Sequence, residues 1–422
     1  MAKLKDSTPK KIVLILVCAV VGLALGLVIT VAVQGTSGWH KWEAWQEEHV
    51  AALQEQADAY NPAVFPAGVL EGNETYRVGV DVAKLGDARF NQLRGLITHN
   101  SYKQKMPPVG SLVFGAVSLW GGAGRGEFEY TFPPLNEQLD SGVMGLELDL
   151  SYTKEEDGNA RFLFCHAPLL DMNSSAIDAG TALREIRLWS KMNPKHLPIL
   201  LLIEPKDATV KPFNIYGMDD EHMPDFEKLL RENLGDSLIT PANFLGDYAD
   251  FAALRKENDW PLLKNMLGKV VVLLHPSDVT AAYVQSDPTL RTQGMFPALN
   301  YDHPQASIVL CNDPKEALER RAELIDEKNL IVRARLDVWP EYSAERYAQS
   351  MASGAQWLST DYPPRKDRLG KTPLYYGLTL GDEENYFLMP QQPPARGEAV
   401  AESDNTYHVA TFPGGGTAEI VV

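Results

Sequence analysis

Eight short apolar runs, most of them separated by stretches of helical periodicity, constrain this chain more than any other feature. They cover residues 93–98, 143–150, 161–165, 199–203, 270–274, 307–311, 330–334 and 356–359. Most are rich in Ile, Val, Leu or Phe, and most lack strict alternation, as strands buried on both faces do. Between many of them lie helical patterns. Residues 181–192 place Leu183, Ile186 and Trp189 at helical spacing, and residues 224–234, 260–267, 314–327 and 343–352 read alike. Pro224 and Pro314 suit first-turn positions. Alternating strands and helices with eight strands predict an α/β fold, a (β/α)8 barrel.

Ahead of the runs lies a different kind of segment. Ile12 to Val33 is almost uninterruptedly apolar. At ~1.5 Å per residue it reaches ~30 Å, the thickness of a bilayer core. A secretory signal has a shorter apolar region and a small-residue cleavage site. Ala32-Val33-Gln34-Gly35 matches such a site poorly, so an uncleaved anchor is expected, with cleavage as the alternative. Lys3, Lys5, Lys10 and Lys11 precede the span and Glu43, Glu47 and Glu48 follow it, which predicts a main domain outside the cytoplasm, on the periplasmic side or cell surface. Trp39, Trp42 and Trp45 fit an interfacial belt, or one face of a juxtamembrane helix.

The expected organisation is a cytoplasmic basic segment at 1–11, a transmembrane anchor at 12–34, a helical stalk at 35–66, the barrel at 67–369 and an extended, partly disordered tail at 370–422. Residues 106–134 form a Gly-, Pro- and aromatic-rich insertion. Its stretch Gly121-Gly122-Ala123-Gly124-Arg125-Gly126 lacks the Lys-Ser/Thr ending of a phosphate-cradling loop and reads as a rim loop. The net charge of −17 argues against a nucleic-acid partner, and no basic run offsets it. Cys18 lies in the span. Cys165 and Cys311 read as buried free thiols, although an outward domain would permit a bond between them.

Barrels of this kind carry chemistry at the C-terminal ends of their strands. His99 and Asn100 follow the first run. Glu147 and Asp149 lie two apart on the second and share a face. His166 follows the third run and Glu204 the fourth. Two imidazoles can exchange protons with a reacting phosphodiester, and one amide with three carboxylates can hold a hard cation beside it. Calcium suits such flexible oxygen donors, magnesium less so, and zinc prefers histidine and cysteine. Lys206 shares the face of Glu204, and Arg333 and Arg335 share a face on the seventh run. These cations are candidates for holding a phosphate, with Asp337 and Asp361 able to neutralise the arginines instead. His196 precedes the fourth strand, at the closed end. His275 reaches the rim without an evident partner.

At these residues a resemblance becomes specific. Asn91-Gln92-Leu93 leading to Thr98-His99-Asn100-Ser101-Tyr102 resembles the first catalytic motif of the calcium-dependent phosphoinositide phospholipase C family. So do Gln138-Leu139-Asp140-Ser141-Gly142-Val143 with Glu147-Leu148-Asp149, Cys165-His166-Ala167-Pro168, Trp189-Ser190 with Asn193-Pro194, and Ile203-Glu204-Pro205-Lys206-Asp207. The series ends at Ser353-Gly354-Ala355-Gln356 and Ser359-Thr360-Asp361-Tyr362-Pro363.

The resemblance implies a distorted TIM barrel, His99 and His166 as the catalytic pair, and Asn100, Glu147, Asp149 and Glu204 as calcium ligands. It implies an enzyme acting on a phospholipid or other inositol phosphodiester at a membrane. The anchor and the long insertion are not carried over from it, and no protein partner is implied. A glycerophosphodiesterase on a related barrel is the alternative, although such enzymes open with His-Arg-Gly where this chain has His99-Asn100-Ser101. An anchored binding module with a dead site would lack a histidine or a metal carboxylate, and none is missing.

Overall fold

The computed structural model describes residues 8–60, 85–108, 110–112, 130–338, 343–362, 407–408 and 419–420. The glycine-rich stretch at 121–126, the end of the expected stalk, the first residues of the expected barrel and most of the tail lie outside the described residues. Within the tail, Tyr407–His408 pairs antiparallel with Glu419–Ile420.

One eleven-stranded sheet organises the rest. Its strands are β1 (Gly95–Thr98), β2 (Gly145–Lys154), β3 (Ala160–Phe164), β4 (Ile199–Pro205), β5 (Tyr216–Gly217), β6 (Leu238–Ile239), β7 (Val270–Leu274), β8 (Phe296–Pro297), β9 (Ile308–Cys311), β10 (Ile331–Arg335) and β11 (Trp357–Thr360). The order is β6-β7-β4-β2-β1-β11-β10-β9, and β8 adds to β7. Every pair along that path is parallel. Apart from the two-residue β6, which lies beyond β7, chain order is kept around the sheet, with β2, β4, β7 and β8 on one side of β1 and β11, β10 and β9 on the other. Among the described residues no pairing joins β8 to β9, so this α/β sheet is open at one seam. Pro297 at that seam has no amide to offer a neighbour.

Two strands differ from the sequence reading. The run at 161–165 is not a third barrel strand, because β3 folds back antiparallel on β2, with Leu150 opposite Phe164. Only five residues separate β2 from β3, and Gly158 turns the chain at φ 87°. A parallel return needs a crossover of about a dozen residues or more. The parallel neighbour that follows β7 in the chain is instead β8, whose two residues are too few to show any period.

Alternation along the strands sorts the core into two layers. Leu146, Leu148 and Leu150 of β2 face outward and pack with Ala182, Leu183 and Ile186 of the helix Ala179–Met192. The opposite parity faces inward. Ile97, Leu200, Leu202, Val271, Leu273, Ile331 and Trp357 join Phe90, Phe244, Phe251 and Trp260 to close the N-terminal end. Gly95 and Gly145 make room there. A Cβ on Gly95 would lie 2.5 Å from the Trp357 ring, and one on Gly145 would lie 2.7 Å from the Ile97 side chain.

The helix Thr8–Ala59 is continuous. Among the described residues no helix is long and apolar enough to cross a membrane. The expected span at 12–34 falls mostly on side chains outside the described residues. From Gly35 onward the helix does not stand off as a stalk but lies on the barrel. Gln46 Nε2 donates to Asp178 O at 3.0 Å, and Asp178 N donates to Gln46 Oε1 at 2.8 Å. Arg161 pairs with Glu43 and Asp178. Val50, Leu53 and Ala57 form a helical stripe against Leu188 and Met192. Trp39 and Trp42 pack beside Leu163, Cys165 and Met172. That small apolar stripe in a polar helix is what docks it. Cys165 and Cys311 are buried and free.

Candidate active site and cation centre

The inward face of the strands turns from apolar to charged toward the C-terminal mouth. On β2 the position of Gly145 is followed by Glu147 and Asp149. On β10 Ile331 is followed by Arg333 and Arg335, and on β11 Trp357 by Ser359 and then Asp361. Asp149 lies in register with Glu204 of β4. Ligand oxygens from Glu147, Asp149 and Glu204 all lie within 4.8 Å of one another.

Three bare carboxylates in one place repel, so the surroundings must offset them. Arg333, 2% exposed, pairs with Glu147 and also bonds Asn312 and Ser359. Lys206 Nζ lies 3.0 Å from Glu204 Oε1 and 3.1 Å from Asp149 Oδ2. Neither oxygen of the fully buried Asp149 has a hydrogen-bond partner of good geometry. Burial pushes the Asp149 carboxyl above its ordinary pKa, with Lys206 opposing. Burial acts the same way on Glu204, but Lys206 and His275 outweigh it and hold that carboxyl below its ordinary value. For Lys206 burial alone would lower the ammonium pKa, and Asp149 and Glu204 overcome it and raise it.

The first motif turns on left-handed Asn100, at φ 51°. Its Nδ2 donates to Tyr130 Oη at 3.3 Å. The other motif residues hold the turn. Glu147 N donates to Ser101 Oγ at 2.8 Å, and Gln138 Nε2 donates to Ser101 O at 2.7 Å. His99 Nδ1 lies 2.6 Å from Asp361 Oδ1, and Arg335 donates to Asp361 Oδ2 at 2.6 Å. The other ring nitrogen, Nε2, is 3.7 Å from Glu147 Oε1. Asp337 caps this network, accepting from Asp361 N at 2.6 Å and Thr360 Oγ1 at 2.5 Å. Burial and the nearby Asp361 push the Asp337 carboxyl up to about 7. His166 follows β3 and is tied to the site through Cys165 N, which donates to Asp149 O at 3.1 Å. Its Nδ1 is 3.4 Å from Asp171 Oδ2.

The structure thus draws His99, Asn100, Glu147, Asp149, Glu204 and Lys206 to one mouth. Arg335, 17% exposed, also reaches it. Arg333 differs from its expected place at the rim. It is buried beneath Glu147, and its guanidinium is taken up by protein groups. Asp361 is more than a neutraliser of arginine, being the partner of His99. Lys103, Tyr130 and Asp171 escaped the sequence reading. Lys103 directly follows the first motif, which was a signal, whereas nothing local marks Asp171 or Tyr130.

Residues 159–383 match the family model described as phosphoinositide phospholipase C, Ca2+-dependent. Among solved structures, a calcium-dependent phosphoinositol-specific phospholipase C from a Pseudomonas species is 18% identical, with 67% of this chain and 93% of that chain covered and a TM-score of 0.46. A Ca2+-dependent phosphatidylinositol-specific phospholipase C from Streptomyces antibioticus is 20% identical over 65% and 95% of the two chains, with a TM-score of 0.44. A glycerophosphodiester phosphodiesterase from Agrobacterium tumefaciens is 10% identical over 64% and 98%, with a TM-score of 0.33. No curated protein matches. The matched stretch contains His166, Glu204, Arg335 and Asp361. His99, Asn100, Glu147 and Asp149 precede it but are joined to it by the β2–β4 register and the His99–Asp361 contact. The chain belongs to the calcium-dependent phosphoinositide phospholipase C family and is a phosphoric diester hydrolase.

Proposed function

We propose that this enzyme is anchored by residues 12–34 with its barrel outside the cytoplasm, and that it cleaves phosphatidylinositol-type lipids. The inositol 2-hydroxyl attacks phosphorus, the bond to the glyceryl oxygen breaks, and diacylglycerol and a cyclic inositol phosphate leave. The observation that carries this reading is the oxygen cluster of Glu147, Asp149 and Glu204 beside His99.

The cluster fits calcium on its own chemistry. Its donors are hard oxygens, and the fully buried Asp149 carboxylate makes no hydrogen bond of good geometry and is offset by the Lys206 ammonium 3.1 Å from Oδ2, a costly arrangement that a cation would relieve. Asn100, Glu147, Asp149 and Glu204 would hold it, Asn100 through Oδ1, since Nδ2 is given to Tyr130. When bound, calcium supplies positive charge that eases deprotonation of the hydroxyl and offsets charge growing on the phosphoryl oxygens.

The remaining steps fall to side chains. His99 keeps its proton on Nδ1 and donates that N–H to Asp361 Oδ1, which leaves Nε2 as the basic nitrogen to accept the hydroxyl proton. Glu147 is a poorer base, because Arg333 already holds it. His166 protonates the departing glyceryl oxygen. Lys206 and Arg335, 20% and 17% exposed, orient the phosphate and inositol oxygens.

Assays of phosphatidylinositol and glycerophosphocholine, each with calcium or with chelator, test this. Calcium-dependent release of a cyclic phosphate from phosphatidylinositol is expected. Preferential turnover of glycerophosphocholine would replace the reading with a glycerophosphodiesterase, and full activity in chelator would remove calcium from it. External protease on spheroplasts should digest the barrel; its protection would overturn the outward orientation.

A further inference from the structure

We propose that Lys103 and Asp171 form a positioning pair for His166, a role that rests on His166 being the proton donor proposed above. Lys103 Nζ donates to Asp171 Oδ1 at 2.6 Å and to Gln104 O at 2.8 Å. Both charged side chains are fully buried. The second carboxylate oxygen, Oδ2, is buried without a hydrogen bond of good geometry and lies 3.4 Å from His166 Nδ1, an ion-pair contact. Asp171 therefore spends one oxygen on the lysine and presents the other to the imidazole. Burial lowers the Lys103 pKa and Asp171 opposes that loss.

A buried ion pair is rarely a gain in stability over apolar side chains of the same volume, so its presence here calls for another account. The surrounding backbone supplies one. Lys103 stands directly after the first motif, while Asp171 stands in the loop that follows His166. Lys103 bridges to Ser174, Gln104 N donates to Asn173 O at 3.1 Å, and Ala167 bridges to Asp171. The two motif loops are thus zipped together, with the ion pair at their junction. The N-terminal helix backs the same loop. A Cβ on Gly35 would lie 2.4 Å from Leu169 O, and one on Gly38 would lie 2.4 Å from Asn173 Oδ1. The carboxylate cannot swing away without stranding Lys103. Its free oxygen is therefore held where a small closure of the 3.4 Å gap turns the contact into an Nδ1–H hydrogen bond, which would fix the ring plane and leave Nε2 to work on substrate.

The test uses full-length enzyme, a phosphatidylinositol lipid, and an inositol phosphodiester with an acidic phenol as leaving group. Asp171→Asn should lower kcat on the lipid by ~10²-fold, the lower end of general acid–base assistance, with KM little changed. On the phenol substrate, which needs little protonation, the loss should be much smaller. In a His166→Ala background, Asp171→Asn should cost nothing further, because it acts only through that ring. Equal losses on both substrates, or losses that multiply with His166→Ala, would overturn the proposal. If His166→Ala itself shows no leaving-group dependence, the donor role fails, and the double-variant comparison still decides whether Asp171 works through His166. Should Asp171→Asn not fold because Lys103 is stranded, Lys103→Met/Asp171→Asn removes both buried charges. A folded form of it with parental activity on lipid would equally sink the pair.

Discussion

The two ends of the barrel interior are built from the same strands and the same residue parity, yet they obey opposite rules. At the closed end the inward positions are Gly95, Gly145, Ile331 and Trp357, and shape decides what fits. Two strand positions further along, the inward residues are Glu147, Arg333 and Ser359, and charge compensation decides. Histidines divide in the same way. His196 at the closed end is buried between Ser190 Oγ and Leu197 O, and burial lowers its pKa to about 4, so it is neutral. His99 and His166 at the mouth each face a carboxylate. Stability is concentrated at one end, and electrostatic cost is carried at the other for chemistry.

The strongest way to break this contrast is Asp149→Asn. Loss of a supporting partner near a metal is worth ~10–100-fold in affinity, so loss of a direct ligand should weaken the calcium response by at least ~100-fold. Excess calcium should restore part of the activity. Stability should change little. The amide removes a fully buried charge but also one of the two carboxylates beside Lys206, which keeps Glu204, so the calcium-free melting temperature should stay near the parental value. A calcium titration paired with thermal melts measures both. A lower calcium-free melting temperature with an unchanged calcium response would mean that the mouth, too, is built for stability.

The closed end should give the reverse pattern. Gly95→Ala places a methyl group 2.5 Å from the rigid Trp357 ring. Overpacking of this kind costs about 1–3 kcal/mol. Denaturant unfolding should show that loss, while the calcium concentration needed for half-maximal activity stays at the parental value. A shifted calcium response would show that packing at the bottom reaches the site.

The same division explains what could be read before the structure was known. Strands buried on both faces write themselves as apolar runs, so β2, β4, β7 and β10 were legible. Direction is not written that way, and β3 was read as a barrel strand although it turns back antiparallel. β8 is too short to leave a pattern. The acidic residues of the mouth were legible because two-residue spacing at the end of an apolar strand puts Glu147 and Asp149 on one face. Their partners were not, because ion pairs form across long sequence distances. His99 and Asp361 are 262 residues apart, and Lys103 and Asp171 are 68 apart. The docked N-terminal helix was missed for a simpler reason. Its contact stripe of Val50, Leu53 and Ala57 is small beside its many polar residues.

The smallest expected effect concerns pH and sharpens the contrast between the histidines. The folded pKa of His196 is about 4 against an ordinary value of 6.5. The folded state therefore favours the neutral ring, whereas the unfolded chain takes up a proton as pH falls through ~6.5. Stability from this group is fully present above the unfolded pKa. It is lost progressively as pH drops toward about 4, because the unfolded state then binds more protons. Between pH 7 and pH 6 the loss should be about 0.7 kcal/mol, and it should approach ~3 kcal/mol only below the folded value. Carboxylates elsewhere also titrate on acidification, so the measurable quantity is a difference. His196→Gln should be less stable than the parent at neutral pH, and the gap should narrow as pH is lowered, read from denaturant midpoints at matched pH. A gap that stays constant from pH 7 to pH 5 would show that His196 contributes through packing alone, leaving the closed end without any ionisable sensitivity.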